Sequence, residues 1–175
     1  MLSQRIGMDD INSILLLTHR SDERKQELYD LLFDDDEAVG YQAAWVFSHF
    51  SFKDNQWLYD KQDELINEVL TCKHGGKRRV ILCLLNKQPM ANPPRVDFLD
   101  FCLERMQPGQ ELPGVQSLCI KIAYELCLPI PELKQELKLT LEMIDGDLKP
   151  AIRTVKKNVL KAMKRGKSLQ KFSSV

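Results

Sequence analysis

The stretch from Asp34 to Phe50, DDDEAVGYQAAWVFSHF, constrains this chain more than any other. Three aspartates close one segment and open a helix. Val39, Ala43, Val46 and Phe50 then recur at i, i+4, i+7 and i+11, one stripe of a helix. Ala38, Tyr41, Ala44, Trp45 and Phe47 cover much of the remaining surface. A helix apolar nearly all round has to be surrounded by other elements, so it belongs at the centre of the fold. Gly40 and Ala44 lie four apart and leave a shallow notch where a neighbouring helix can come close.

The rest of the chain supplies neighbours of the same kind. A first helix is expected from Asp9 to Thr18 with Ile14 to Leu17 as its buried part. Ser21 caps a second helix whose inner face is Leu28, Leu31 and Leu32. Phe52 to Asn55 reads as a turn, and Gln56 to Thr71 as an amphipathic helix with Trp57, Leu58, Leu65, Ile66, Val69 and Leu70 inward. Trp45 reads as core. His74-Gly75-Gly76 interrupts the chain before an apolar helix from Lys77 to Gln88. After the connector Pro89 to Pro94, Val96 to Met106 forms a helix with Val96, Leu99, Leu103 and one of Phe101 or Cys102 facing in. Pro108 to Gly114 is a loop, Val115 to Cys127 an apolar helix, and Pro129 and Pro131 end it and open the next. Asp145-Gly146-Asp147 is a turn before the last long helix, Lys149 to Lys164, with Ile152, Val155, Val159, Leu160 and Met163 inward. No segment alternates with period two, so no strand is expected.

The more buried helices begin near Glu37, Lys77, Val115 and Lys149, and a more amphipathic helix lies between each pair. Such alternation at roughly 40 residues is the mark of stacked helix pairs. The unit DLKPAIRTVKKNVLKAM, with Asp147, Pro150 and Ile152-Arg153 ahead of spaced apolar positions, resembles a HEAT repeat. Asp34 to Phe50 resembles it too, with Val39 in the place of Ile152 and Gly40 in the place of the arginine. The middle units keep only the periodicity. The resemblance implies an all-α fold, an α-α superhelix (HEAT-like solenoid) of about nine helices. It spans residues 1–165 as one domain, followed by a basic tail at 166–175. It also implies a binding role, because stacked pairs offer a surface to a protein partner.

Composition excludes several functions. No apolar run approaches the roughly 18 residues of a membrane span. No basic region followed by a long apolar core opens the chain, so no signal peptide is expected. The five cysteines, Cys72, Cys83, Cys102, Cys119 and Cys127, are odd in number and lack C-x-x-C spacing, which fits buried reduced thiols in a cytoplasmic protein. His19, His49 and His74 fall near helix ends, and no zinc-type ligand spacing exists, so neither metal nor cofactor is expected. No Ser-His-Asp or Cys-His set can be assembled, and catalysis is not the expectation.

Two basic features remain. Gly75 and Gly76 precede Lys77, Arg78 and Arg79, where free backbone N–H groups could hold an anion, although no Walker loop is present. The net charge of zero also hides a split. Nine of the 25 basic residues lie from Lys149 onward and no acid follows Asp147, so residues 1–148 carry −9 and the remainder +9. Lys149, Arg153, Lys156, Lys157, Lys161 and Lys164 fall at helical spacings of three and four, so most of them share one broad face. These six cations, with Lys77, Arg78 and Arg79, are the candidate anion or nucleic-acid site. The readings in order are a protein-interaction module, a nucleic-acid or phosphate binder, and a HEAT-like alkylation-repair DNA glycosylase. The last requires aromatic and acidic residues in a basic groove, which the sequence does not assemble.

Overall fold

The computed structural model describes residues 2–171. Phe172, the one aromatic residue near the C-terminal lysines, and the rest of the 166–175 tail beyond Lys171 lie outside that range. Among the described residues the chain is all helix and turn. The helices are α1 (Met8–Thr18), α2 (Asp22–Asp30), α3 (Glu37–Ser48), the single turn α4 (Phe52–Asn55), α5 (Gln62–Thr71), α6 (Gly75–Leu85), α7 (Val96–Arg105), α8 (Pro113–Cys127), α9 (Pro131–Met143) and α10 (Pro150–Arg165). Two 3-10 segments, Leu31–Phe33 and Gln56–Lys61, extend α2 and α4. Nine of these α-helices are longer than one turn, as the periodicity predicts.

The starts of α3, α6, α8 and α10 are 38, 38 and 37 residues apart, more regular than the sequence pattern suggests. Local chemistry sets them. Asp36 caps α3 by accepting the Ala38 N–H at 2.9 Å, and His74 caps α6. Proline occupies the first position of α8, α9 and α10, where its missing N–H costs nothing. Gly166 ends α10 in the left-handed region at φ 61°, a conformation glycine adopts without a Cβ penalty.

The chain divides between residues 88 and 89 into two compact units. In the first, α3 packs on α6, with α1, α2 and α5 around them. Ala43, Ala44, Val46 and Phe47 of α3 and Ile81, Leu82, Leu84 and Leu85 of α6 are fully enclosed. The notch at Gly40 is filled. A Cβ there would stand 2.7 Å from the Leu32 carbonyl oxygen and 2.9 Å from Lys77 Nζ. A second cluster joins Tyr29, Phe47 and Trp57, with Lys61 Nζ 4.6 Å above the Trp57 ring. In the second unit α8 is the enclosed helix, packed by α7, α9 and α10. Its Glu125, an interruption in the apolar pattern, is buried and accepts bonds from Ser168 Oγ and the Leu169 N–H, both at 2.7 Å. Tyr124 donates to the Lys167 carbonyl at 2.8 Å, so the chain beyond α10 is tied to α8 at three consecutive residues.

Several expectations are corrected. The Ile14–Leu17 run is not buried: α1 turns Ile11 and Thr18 inward, while Leu16 is 80% and Leu17 65% exposed. A helix packed on one side can bury only one stripe, and four consecutive residues span all sides. Val96 is 69% exposed for the same reason, and Phe98, with Phe101 and Cys102, takes the inner face of α7. Trp45 is half-buried at the surface rather than core, Trp57 is half-buried in its cluster, and Cys83 is half-buried where the other four cysteines are buried. Ala162, not Met163, completes the inner face of α10. Phe52 to Asn55 is a helical turn, and α6 starts at Gly75 because His74 rather than a later residue caps it.

The close approach at Gly40 sets a test. Gly40→Ala pushes a methyl against a backbone oxygen that cannot swing away, and Ala44→Leu adds methylenes to a filled interior. Each is expected to lose on the order of 1–3 kcal/mol in chemical denaturation. A parent-like midpoint for both would displace α3 from the centre of its unit.

Candidate functional site

The Gly75–Arg79 turn does not present three cations together. His74 Nδ1 accepts the Lys77 N–H at 2.9 Å, which places the proton of the neutral imidazole on Nε2. The imidazole thus takes one of the amides that an anion would use. Lys77 is buried, and its ammonium reaches Glu68 of α5 at 2.7 Å beneath Gly40. Arg78 turns its guanidinium onto the Cys72 carbonyl. Arg79 stays exposed.

The face of α10 is different. Arg153, Lys156, Lys157, Lys161 and Lys164 line one groove of about 580 Å³, with Leu148 and Leu160 as its apolar part. Two of the five cations serve the α9–α10 loop: Arg153 donates to the Leu148 carbonyl at 3.1 Å and Lys156 to the Ile144 carbonyl at 2.5 Å. Lys157, Lys161 and Lys164 are exposed. Among the described residues none of the five lies within 4.0 Å of a carboxylate. Asp145 also lines the groove, its carboxylate accepting the Gly146 N–H at 2.8 Å. Among the described residues no aromatic ring lines it. Lys149 precedes the helix and is exposed, outside the groove lining.

A second groove, missed in the sequence, follows from the exposed side of α1. It is lined by Leu15, Leu16, His19, His49, Phe50 and Asp54, with a volume of about 540 Å³. His19 Nδ1 lies 3.2 Å from Asp54 Oδ2, and Ser51 Oγ donates to the same carboxylate oxygen at 2.7 Å. Three residue types of a hydrolase are present, but the carboxylate stands between hydroxyl and imidazole. A base must contact the nucleophile to take its proton, and here Ser51 is bonded to Asp54 instead, as the cap of α4. Burial pushes the Asp54 carboxyl up, but the bonds from Ser51 and His19 and the nearby His19 and Lys25 charges outweigh it and hold it below its ordinary value. The arrangement is a helix cap with a counter-ion.

Thiol and metal chemistry find little support. Burial raises the thiol of Cys72, raises Cys102 further together with its neighbour Cys119, and with Glu136 pushes Cys127 up to about 11. Among the described residues no group of three or more His, Cys, Asp or Glu side chains is placed to hold a metal, and no helix is long and apolar enough to cross a membrane.

The sequence model for HEAT repeat domains matches residues 1–163, so the chain belongs to that family. No curated protein and no solved structure gives a significant match.

Two experiments follow from these placements. Removing one partner of a buried ion pair strands the other, at a cost of about 3–5 kcal/mol. Glu68 is the less buried partner, so Glu68→Ala is expected to destabilise more than Lys77→Met, which leaves only a carboxylate that water can reach. The reverse order in denaturation midpoints would contradict the ion-pair geometry. A disulfide-exchange reagent is expected to modify Cys83 first, and the buried thiols only on unfolding. Rapid modification of Cys127 in the folded protein would contradict its enclosure.

Proposed function

We propose that this chain, as a member of the HEAT repeat family, is a non-catalytic protein-interaction module that holds an acidic segment of a partner protein in the basic groove of α10. One observation carries the reading: cations converge on that groove with no carboxylate in ion-pair range among the described residues. Charge left unpaired on one face is charge available to a partner. Leu148 and Leu160 favour a peptide, since they can take its apolar side chains. The reading treats residues 1–165 as one repeat domain, which the unbroken family match across the junction of the two units supports. It places the protein in the cytoplasm, which five free thiols support.

The same cations favour a second reading, nucleic acid or phosphate, to which exposed Lys149 and Arg79 would add. Among the described residues the groove offers no ring on which a base could stack, which weighs against single strands. A repair glycosylase would need aromatic residues within the basic groove, and among the described residues none lines this one.

Charge reversal at Lys157, Lys161 and Lys164 tests the proposal. These three are exposed, whereas reversing Lys156 would also break its bond to Ile144. An oligoglutamate peptide is expected to bind the parent at low salt and not the triple variant, with the helical spectrum unchanged. Failure of the parent to bind acidic peptides would overturn the protein reading. Binding of duplex DNA with a log–log salt slope of about −0.9 per phosphate contacted would establish the second one instead.

A further inference from the structure

Unit 1 carries a pocket that neither the family nor the basic groove accounts for. It lies on the outer face of α3, between that helix and the segment Leu2–Gly7, and its volume is about 460 Å³. Tyr41 and Trp45, one helical turn apart, form one wall, and His74 continues it, its ring centroid 5.2 Å from that of Tyr41. Ala38 leaves the space between them and the N-terminal segment open. Ser3 and Arg5 form the opposite wall.

That wall is fixed. The buried amide of Gln42 accepts the Ile6 N–H at 2.7 Å and donates to the Leu2 carbonyl at 2.7 Å and the Gln4 carbonyl at 2.5 Å. Leu2 and Ile6 are buried, and Arg5 between them is exposed. The position of Arg5 is therefore built into the fold.

The polar groups left over are chiefly donors. Among the described residues the Tyr41 hydroxyl and the Trp45 indole N–H have no hydrogen-bond partner, and no carboxylate lies within ion-pair range of Arg5. His74 has its Nδ1 on Lys77 N and its Cε1 against Gly76, so the edge left to the pocket is the Nε2–H side. Aromatic ridges that carry unused donors suit a polyproline-II strand. Its rings pack on flat aromatic faces, and its carbonyls have no internal partners and need donors from outside. One unpaired arginine then selects one anion. A polyphosphate chain, charged at every unit, fits poorly, because four exposed carboxylates, Asp34 to Asp36 ahead of α3 and Glu37 at its first position, lie within a turn of Ala38.

We infer that this pocket docks an extended, proline-containing peptide segment of a partner protein that carries an acidic side chain for Arg5. The site shares no residue with the α10 groove and stands or falls separately from it.

The test is calorimetric titration with a repeated Pro-Pro-Glu peptide, its proline-to-alanine version, its glutamate-to-lysine version and oligothymidine. It uses the full chain with Lys157, Lys161 and Lys164 reversed to glutamate, so that the basic groove cannot take the acidic peptide, and the parent beside it. The Pro-Pro-Glu peptide is expected to bind both proteins, and the alanine version at least about tenfold more weakly. Arg5→Glu, at an exposed position, is expected to reverse the preference between the glutamate and lysine peptides. Tyr41→Phe, which removes only the hydroxyl, is expected to weaken binding with the fold intact. Binding to the parent but not to the reversed chain would assign the peptide to α10 and overturn this inference while leaving the proposed function standing. Equal affinity for the proline and alanine peptides, indifference to Arg5→Glu, or preference for oligothymidine would each overturn it too.

Discussion

The first unit depends on a missing Cβ. At Gly40 the backbone of α3 comes close enough to Leu32 and to the Lys77 side chain that any other residue would collide with a carbonyl oxygen. That approach lets Lys77, from the first turn of α6, pass beneath α3 to Glu68 on α5. One glycine thus joins three helices and the segment after α2. A cation in the first turn opposes the helix dipole, and a buried one also loses its hydration, so Lys77 is stable there only because Glu68 is 2.7 Å away. Such a pair contributes registry more than net stability. It fixes how α6 is rotated on α3, and with it which residues of the Gly75–Arg79 turn reach solvent.

Much of this was legible in sequence, and what was not has a consistent cause. The enclosed helices α3, α6 and α8 announce themselves, because a helix surrounded by others must be apolar over most of its circumference, while α10 shows a single apolar stripe, Ile152, Val155 and Val159, on a basic helix. Helices packed on one side are harder to read. In α1 the run Ile14 to Leu17 is apolar at every position, and only the placement of neighbours reveals that Ile11 and Thr18 face inward. Val96 and Phe98 exchange roles in α7 for the same reason. Partners distant in sequence are invisible to periodicity: nothing near Glu125 says that it receives Ser168 and Leu169, nor near Gln42 that it holds the segment from Leu2 to Ile6. Trp45 looked like core because its neighbours are core. The signal that could have exposed it is its i, i+4 relation to Tyr41, a second stripe on the side of α3 away from Ala43 and Val46.

The basic face of α10 was the part of the candidate site most readable from sequence, and the structure refines it by dividing labour. Arg153 and Lys156 are bonded to carbonyls of the loop that precedes the helix. Lys164 and Arg165 lie in the last turn, where the dipole favours cations. The other three groove cations therefore have unequal backgrounds. Lys164 has a reason to be basic in any helix, while Lys157 and Lys161 have none that the fold supplies.

That difference bears on what the groove is for. From Lys157 to Lys164 the helix rises about 10 Å, at 1.5 Å per residue. An extended peptide covers the same distance in about three residues, at roughly 3.3 Å each. Side chains alternate along a strand, so acids at i and i+4, about 13 Å apart, share the face that would meet the two ends of the row, and an apolar side chain at i+2 would face Leu160. The aromatic pocket of α3 offers the converse chemistry, many ring faces and a single cation. A ligand rich in charge gains little there, and one rich in rings gains little on α10. A partner that used both surfaces would have to carry an acidic run and a proline segment as separate stretches, with the linker between them setting how far each assists the other.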